Sequence, residues 1–496
     1  MHKPLIALYV LVSLLASPAH ADWTEASSDH FVVYGDLGAK AIGSFADRLE
    51  FYDAAMTHVL KTTPTKPSPS NRVTVYVVSD QALARRIEGD QSAMAGFLPA
   101  AGATVALVPL LAGGPALDDA RPDANVFHGY AHEFLFSLTS RAFPRWFVEG
   151  FAQFFSGVKY LPGGSINLGV AAPPRSSELP HTPIRKLLEY AGGANDAASF
   201  EALYQQSRLL FHYLYLAPER AGQLARYQAM VTRGEPALRA AEIAFGDFDQ
   251  LERDANQFSK HLRFAYLEVG RKFAAVAPVA VRKLRPGEAA MMPLIVQSRT
   301  GPNREDALAF VPTARSVAAL HRDDPAVLAA LASIEFAAGN DDATIAAADA
   351  ATALDPTRVD AQIQKGYALY RKAEHGVLPQ DSWKDVRGQF ARANKLENDN
   401  PIALVRFYMT YRAQNQTPPQ NAVEGLELAL ALSPLDPSLR LSVAQQLIAD
   451  NRLADAAATL TPLAYSPHPD DHAASALQML RDVEAKMANP KVAATE

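Results

Sequence analysis

Prolines return at Pro325, Pro356, Pro401, Pro437 and Pro469, at intervals of 31, 45, 36 and 32 residues, and Asp or Asn precedes four of them. Between them run Ala-rich stretches such as DPAVLAALASIEFAAGNDDATIAAADAATALDP, with the small residues and Gly punctuation of a two-helix unit. One helix pair cannot bury its apolar face alone. Only a stack of three or more such units is stable, so the chain from about residue 302 is constrained to an all-α solenoid. A generic Ala-rich bundle is the alternative, but it leaves the recurring Asp-Pro boundaries without a reason.

Position by position, VDAQIQKGYALY supplies Gly366 and Ala368, and FARANKLENDNP supplies Phe390, Ala393 and Pro401. Ala429 and Pro434 of LELALALSP, and Ala456 and Leu460 of LADAAATL, fall in the same register. On these residues the segment resembles the tetratricopeptide repeat of about 34 residues, with about four units over 325–484 and a departure at the insertion EHGVLPQDS. The resemblance implies a concave surface that takes a peptide or protein ligand.

At 496 residues the chain exceeds one ordinary core, so two or three domains are expected. DHFVVYGD (29–36), RVTVYVVSD (72–80) and ATVALVPL (103–110) are rich in β-branched and aromatic residues and read as strands. The intervening segment has Ile42, Phe45, Leu49, Tyr52 and Met56 at helical spacing. Strands followed by helices predict an α+β domain over 22–265. Within it a helix is expected over 124–140, with Asp123 as N-cap and Pro144 limiting its extension, and a second helix from Arg145. Residues 266–301 read as a connector with extended segments around a Pro286-Gly287 turn, 302–484 as the repeat domain, and 485–496 as a disordered tail.

Residues 1–21 combine Lys3, an apolar run from Leu5 to Ala16 and the small-residue pattern Ala19-His20-Ala21, which reads as a cleaved secretory signal peptide. The run is shorter than the roughly 20 residues that span a bilayer, so no membrane span is expected after cleavage. A bacterial periplasmic or secreted setting follows as an expectation. With no cysteine there is neither a disulfide framework nor a thiolate ligand, and any metal must be held by His and carboxylates. A net charge of −6 and no long basic run argue against nucleic acid as a partner.

In NVFHGYAHEFLF, His128 and His132 stand four apart, so one helix face can offer both imidazoles to one ion. A pair alone is as readily packing or surface histidine. Glu149 of PRWFVEGFAQFF adds a carboxylate on the next helix, where Gly150 and Ala152 allow the two helices to approach. Read otherwise, Glu149 is a surface or ion-paired residue, but Trp146, Phe147, Phe151 and Phe154 mark its helix as buried, and a buried carboxylate needs a partner. His, His and Glu with one water form an open zinc set.

VFHGYAHEFLF with PRWFVEGFAQFF resembles the gluzincin-type metallopeptidases, in particular the bacterial peptidase MA-like family, whose members read His-Glu-x-x-His and then Pro-x-Trp-x-x-Glu-Gly-x-Ala-Glu. The likeness spans roughly 22–265 and implies a zincin-like fold and one Zn²⁺ held by His128, His132 and Glu149. Gly129 stands where the family keeps its general base, and Gln153 stands where it keeps a Glu that orients the metal shell. Gly129 is a close-packing contact, a lost catalytic group or a variant; helix propensity does not explain it. Glu133 is a weak candidate base, displaced by about one turn from the missing one. Tyr204 and His212 lie in the following helical segment and are left outside the catalytic set as core or surface aromatics.

The expectation is therefore an exported zinc metallopeptidase-like protein with an intact ligand set and weak or absent hydrolysis. Two alternatives stand beside it: an active zinc metallopeptidase using Glu133, or a purely protein-binding repeat scaffold.

Overall fold

The computed structural model describes residues 23–89, 97–98, 104–110, 124–138, 143–170, 182–189, 197–260, 266–299, 304–466 and 471–488. The expected leader 1–21, Asp123, Pro469 and residues 489–496 of the expected tail lie outside the described residues.

The first half runs β1 (Thr24–Ser27), β2 (Phe31–Gly35), α1 (Ala39–Leu60), β3 (Val73–Val78), α2 (Gln81–Gly89), β4 (Phe97–Leu98) and β5 (Val105–Pro109). It continues with α3 (Ala124–Leu138), α4 (Arg145–Phe155), β6 (Val158–Leu161), β7 (Ser165–Leu168), α5 (Ile184–Glu189) and α6 (Ala197–Leu216). Then come α7 (Gln223–Thr232), α8 (Ala237–Phe245), α9 (Phe248–Ser259), β8 (Leu267–Gly270), β9 (Ala280–Lys283) and α10 (Pro286–Arg299). Six strands form one mixed sheet in the order β4-β5-β3-β2-β1-β9. β2, β3 and β5 are parallel, while β1, β9 and β4 pair antiparallel with their neighbours.

Side-chain alternation sends the two faces of this sheet to different cores. Phe31, Val33, Val73, Val75, Val77, Ala106 and Val108 pack with α1, α3 and α4. Tyr76, Val78, Val105 and Leu107 pack on the other face with Leu83 and Ile87 of α2 and Met292 and Val296 of α10. The three expected strands and the first helix lie where the sequence places them. Residues 266–301 differ from expectation. β8 pairs with β7 and β9 with β1, so both belong to the first domain's sheets, and 286–299 is a helix rather than a second extended segment. Pro286 occupies the first helical position, where its missing N–H costs nothing, and the apolar sheet face holds the helix that follows.

From Arg304 onward the chain is helical: α11 (Arg304–Leu320), α12 (Pro325–Ala337), α13 (Asp341–Leu354), α14 (Val359–Glu374), α15 (Trp383–Leu396) and α16 (Pro401–Arg412). It ends with α17 (Gln420–Leu432), α18 (Pro437–Ala449), α19 (Leu453–Ala464) and α20 (Asp471–Ala488). Each helix packs on the next, and three successive apolar clusters run through the stack. This is a helical repeat solenoid of four pairs, closed by α20. Residues 485–488 belong to α20, so the expected tail begins later than residue 485.

Asp324, Asn400 and Asp436 each cap the helix that starts at the following proline, accepting from a backbone N–H in its first turn. Asp355 does not cap the helix that follows it; it is the C-cap of α13, its backbone N–H donating to the Ala351 carbonyl. It accepts from Thr357 in a turn, and α14 begins at Val359. Counted by helix starts at 325, 359, 401, 437 and 471, the spacings are 34, 42, 36 and 34 residues. The proline intervals are uneven because Pro356 precedes its helix by three residues, and the 42-residue unit carries the insertion between α14 and α15.

Candidate metal centre

α3 and α4 bring the three predicted ligands together. Nε2 of His128 lies 3.1 Å from Nε2 of His132, with the two rings nearly perpendicular at 86°. Glu149 Oε2 is 3.6 Å from His128 Nε2, and its Oε1 is 3.5 Å from His132 Nε2. Zinc bonds of about 2.0–2.1 Å in tetrahedral array separate neighbouring ligand atoms by about 3.4 Å. The His–His separation, and that of each histidine from its own nearest carboxylate oxygen, lie near that figure, so the three side chains converge on a space of the size one ion takes.

Burial and charge agree with that fit. Glu149 is fully buried, and neither carboxylate oxygen has a hydrogen-bond donor among the described residues. Burial pushes its carboxyl up to about 8, against the opposing charge of Arg145 one turn earlier on α4. A buried carboxylate without donors is costly unless it meets a cation. The histidines remain partly accessible, at 24% and 13% of their side chains, so the cluster is open on one side.

α3 is fixed from behind by α1. The hydroxyl of Tyr52 donates to the Phe127 carbonyl at 3.2 Å, and that of Tyr130 donates to Asp53 Oδ1 at 2.8 Å. Asp53 and Glu50 in turn flank His30, whose Nδ1 is 2.9 Å from Glu50 Oε1. α4 is fixed by α6. A Cβ at Gly150 would come within 2.7 Å of the Ser207 carbonyl oxygen and 2.8 Å of Phe211 Cβ. Gly150 therefore serves the close approach of α4 to α6 rather than to α3, the partner expected from sequence.

Gly129 is buried on α3 and presents no side chain. The Glu133 carboxylate accepts from Thr104 Oγ1 at 2.8 Å, beside the start of β5. Burial raises the Glu133 carboxyl to about 7. Gln153 lies one turn beyond Glu149 and is half-buried. His212 is buried with its ring nitrogens at the Arg208 and Gly169 carbonyls, 2.9 and 2.8 Å away, and burial lowers it to about 4. It is a core residue.

Tyr204 and Arg145 are brought to the cluster by tertiary structure. Tyr204 on α6 hydrogen-bonds the side chain of Arg145, and burial together with the Glu149 charge holds its phenol well above the ordinary value. The only sequence signal for Arg145 is its place four residues before Glu149 on one helix. Nothing local marks Tyr204.

No protein-family model matches the chain, and no curated protein matches it. Among solved structures, a thermophilic TPR protein of Thermus thermophilus is 18% identical, covering 39% of this chain and 97% of its own, with a TM-score of 0.32. MamA is 15% identical over 42% of this chain and 99% of its own, with a TM-score of 0.27. Yeast Tom70 is 12% identical over 90% of this chain and 83% of its own, with a TM-score of 0.28. Among the described residues no helix is long and apolar enough to cross a membrane.

Proposed function

We propose that the chain is an exported protein-binding scaffold: its repeat arm takes a polypeptide partner, and its first domain keeps a zinc site without peptide hydrolysis. The observation that carries this reading is the stack of helix pairs from α12 to α19, an architecture whose stability is local and whose surface is extended. The apolar leader at 1–21 supports export.

His128, His132 and Glu149 are the residues that would hold the ion, and a fourth position would carry water. Zinc bound there would supply a Lewis acid and a water of lowered pKa. The likeness of HGYAHEF and PRWFVEGFAQFF to peptidase MA-like sequences supports the ligand assignment. Hydrolysis further requires a group that accepts the proton of that water. Gly129 has none to offer, and Glu133 is engaged by Thr104.

An active zinc metallopeptidase is the second reading, favoured by Glu133, the residue after His132 on α3, whose carboxyl burial raises to about 7. Measuring zinc content and peptide hydrolysis for wild type, Gly129→Glu, Glu133→Gln and His132→Ala separates the two. The scaffold reading expects zinc in the wild type and no turnover, with any activity appearing only in Gly129→Glu. Wild-type hydrolysis abolished by Glu133→Gln would overturn it.

A further inference from the structure

The second face of the large sheet reaches the repeat arm through α10. Met292 and Val296 pack with Tyr76 and Val78 of the sheet, and Met291 and Leu294 of the same helix pack with Val327 and Leu328 of α12. Arg285, just before α10, adds an ion pair at 2.7 Å to Asp324, the N-cap of α12. Sheet and first repeats are thus held at a fixed separation. Beside α10 they bound a cavity of about 430 Å³, lined from β1, β2, β3, α10, α12 and the start of α14. Small-molecule sites are concave, largely preformed and roughly 300–1,000 Å³ in volume.

Four guanidinium groups and three carboxylates line this space, one positive charge in excess. Arg282 donates to Glu25 Oε2 at 2.6 Å and to Glu288 Oε2 at 2.8 Å, and Arg358 donates to Asp360 Oδ1 at 2.9 Å. Arg72 and Arg299 differ, since neither meets a carboxylate among the described residues. Arg72 is half-buried just before β3. Its Nη1 donates to Ser27 Oγ at 2.7 Å and to the Ser28 carbonyl at 3.1 Å, and its Nε to the Pro69 carbonyl at 3.4 Å. All three acceptors are neutral, so the charge is not compensated.

The repeat side offers the opposite hydrogen-bonding character. Gln364 of α14 lines the same cavity, and its Oε1 is buried without a donor among the described residues. A buried amide oxygen is unfavourable until something donates to it. Ala326, Ala329 and Ile334 of α12 and Ile295 of α10 supply an apolar wall. A guanidinium fork matches the two oxygens of a carboxylate, and an excess of one positive charge is balanced by a monoanion, whereas a dianion would leave the cavity net negative. We infer that this cavity binds a small organic monocarboxylate: its carboxylate meets Arg72 and Arg299, an N–H or O–H of the molecule donates to Gln364 Oε1, and a compact apolar body rests on Ala326, Ala329 and Ile334. N-acylated amino acids combine these three parts. Arg72 belongs to the first domain and Gln364 to the repeats, so the bound molecule bridges the two. The site is separate from the zinc cluster and needs no polypeptide partner.

The test uses the full chain and a panel of N-acetyl amino acids from glycine to leucine, with N-acetylvalinamide as the uncharged counterpart and inorganic phosphate as the compact anion. Calorimetric titration is expected to give one site for at least one acid of the panel, weakened at least about tenfold for the uncharged amide, in Arg72→Gln and in Arg299→Gln. Gln364→Leu should weaken it also, and Ser333→Phe, which adds a ring to the cavity lining, should abolish it. Melting temperatures without the probe show that each variant is folded. Arg299 is exposed, so its variant tests the charge even where Arg72→Gln fails to fold. In the wild type, hydrogen exchange with the acid present should slow on β2, α12 and α14. No binding by any acid of the panel at about 10 mM overturns the site. So do equal binding of acid and amide, tighter binding of phosphate, unchanged affinity in Arg72→Gln and Arg299→Gln, and protection confined to other elements.

Discussion

Glu149 shows how one side chain depends on its surroundings: a carboxyl raised to about 8 by burial, with two imidazole nitrogens at 3.5 and 3.6 Å and no hydrogen-bond donor among the described residues. A divalent ion answers all three conditions. Calorimetric titration with zinc is expected to give one site per chain, weakened by more than about 100-fold in His132→Ala. An unchanged affinity in that variant would remove His132 from the ligand set. Behind the site, burial pulls His30 down, but the hydrogen bond to Glu50 and the charges of Asp53 and Glu50 outweigh it and push it up to about 9. A raised folded-state value means that protonation favours the native state. The contribution is full below the ordinary 6.5 and is lost as pH rises through about 9. Urea midpoints should therefore fall between about pH 6.5 and 9, and this fall should flatten in His30→Ala. The candidate ligands were legible as residues, because the spacing of four between His128 and His132 on a helix is a local signal. Arg145 and Tyr204 were not recognised as neighbours of Glu149, since Tyr204 lies on α6 and its contact is set by packing.

Among elements, α4 is nearly all buried, and its register against α6 rests on a missing Cβ at Gly150. Gly150→Ala must shift backbone rather than a flexible side-chain end, at a cost of about 1–3 kcal/mol. Chemical denaturation measures this cost, and zinc affinity should fall with it because Glu149 precedes the displaced residue. In the repeats, Asp436 accepts from the Leu439 N–H at 2.8 Å. Asp436→Ala is expected to cost about 1 kcal/mol, and Asp355→Ala less, since only the side chain of the former caps a helix N-terminus. The Asp-Pro pattern exposed the repeat length but hid this difference, because turn and cap use the same residue types. α10 was missed for a related reason. Pro286-Gly287 reads as a turn, and the apolar face that stabilises the helix is complementary to a sheet surface, not to anything in its own segment.

For the whole molecule, α10 is the joint between sheet and solenoid: Val296 is fully buried on its sheet side, while Met291 and Leu294 pack with the repeats. Val296→Asp places an unpaired charge there and is expected to cost several kcal/mol. Calorimetric melting, expected to show one transition in the wild type, should then resolve the two halves. What the sequence determined by itself was periodic or local: strands over 31–35, 73–78 and 105–109, the paired helices of the arm, and three ligand-type residues on adjacent helices. Periodicity is written into each segment because each must bury one face. What only the tertiary structure decided was pairing between distant segments: Gly150 against α6, Glu133 with Thr104, β9 beside β1, and Ser70 with Glu397 across more than three hundred residues. Such contacts depend on shape and hydrogen-bond complementarity between surfaces that exist only once both segments have folded.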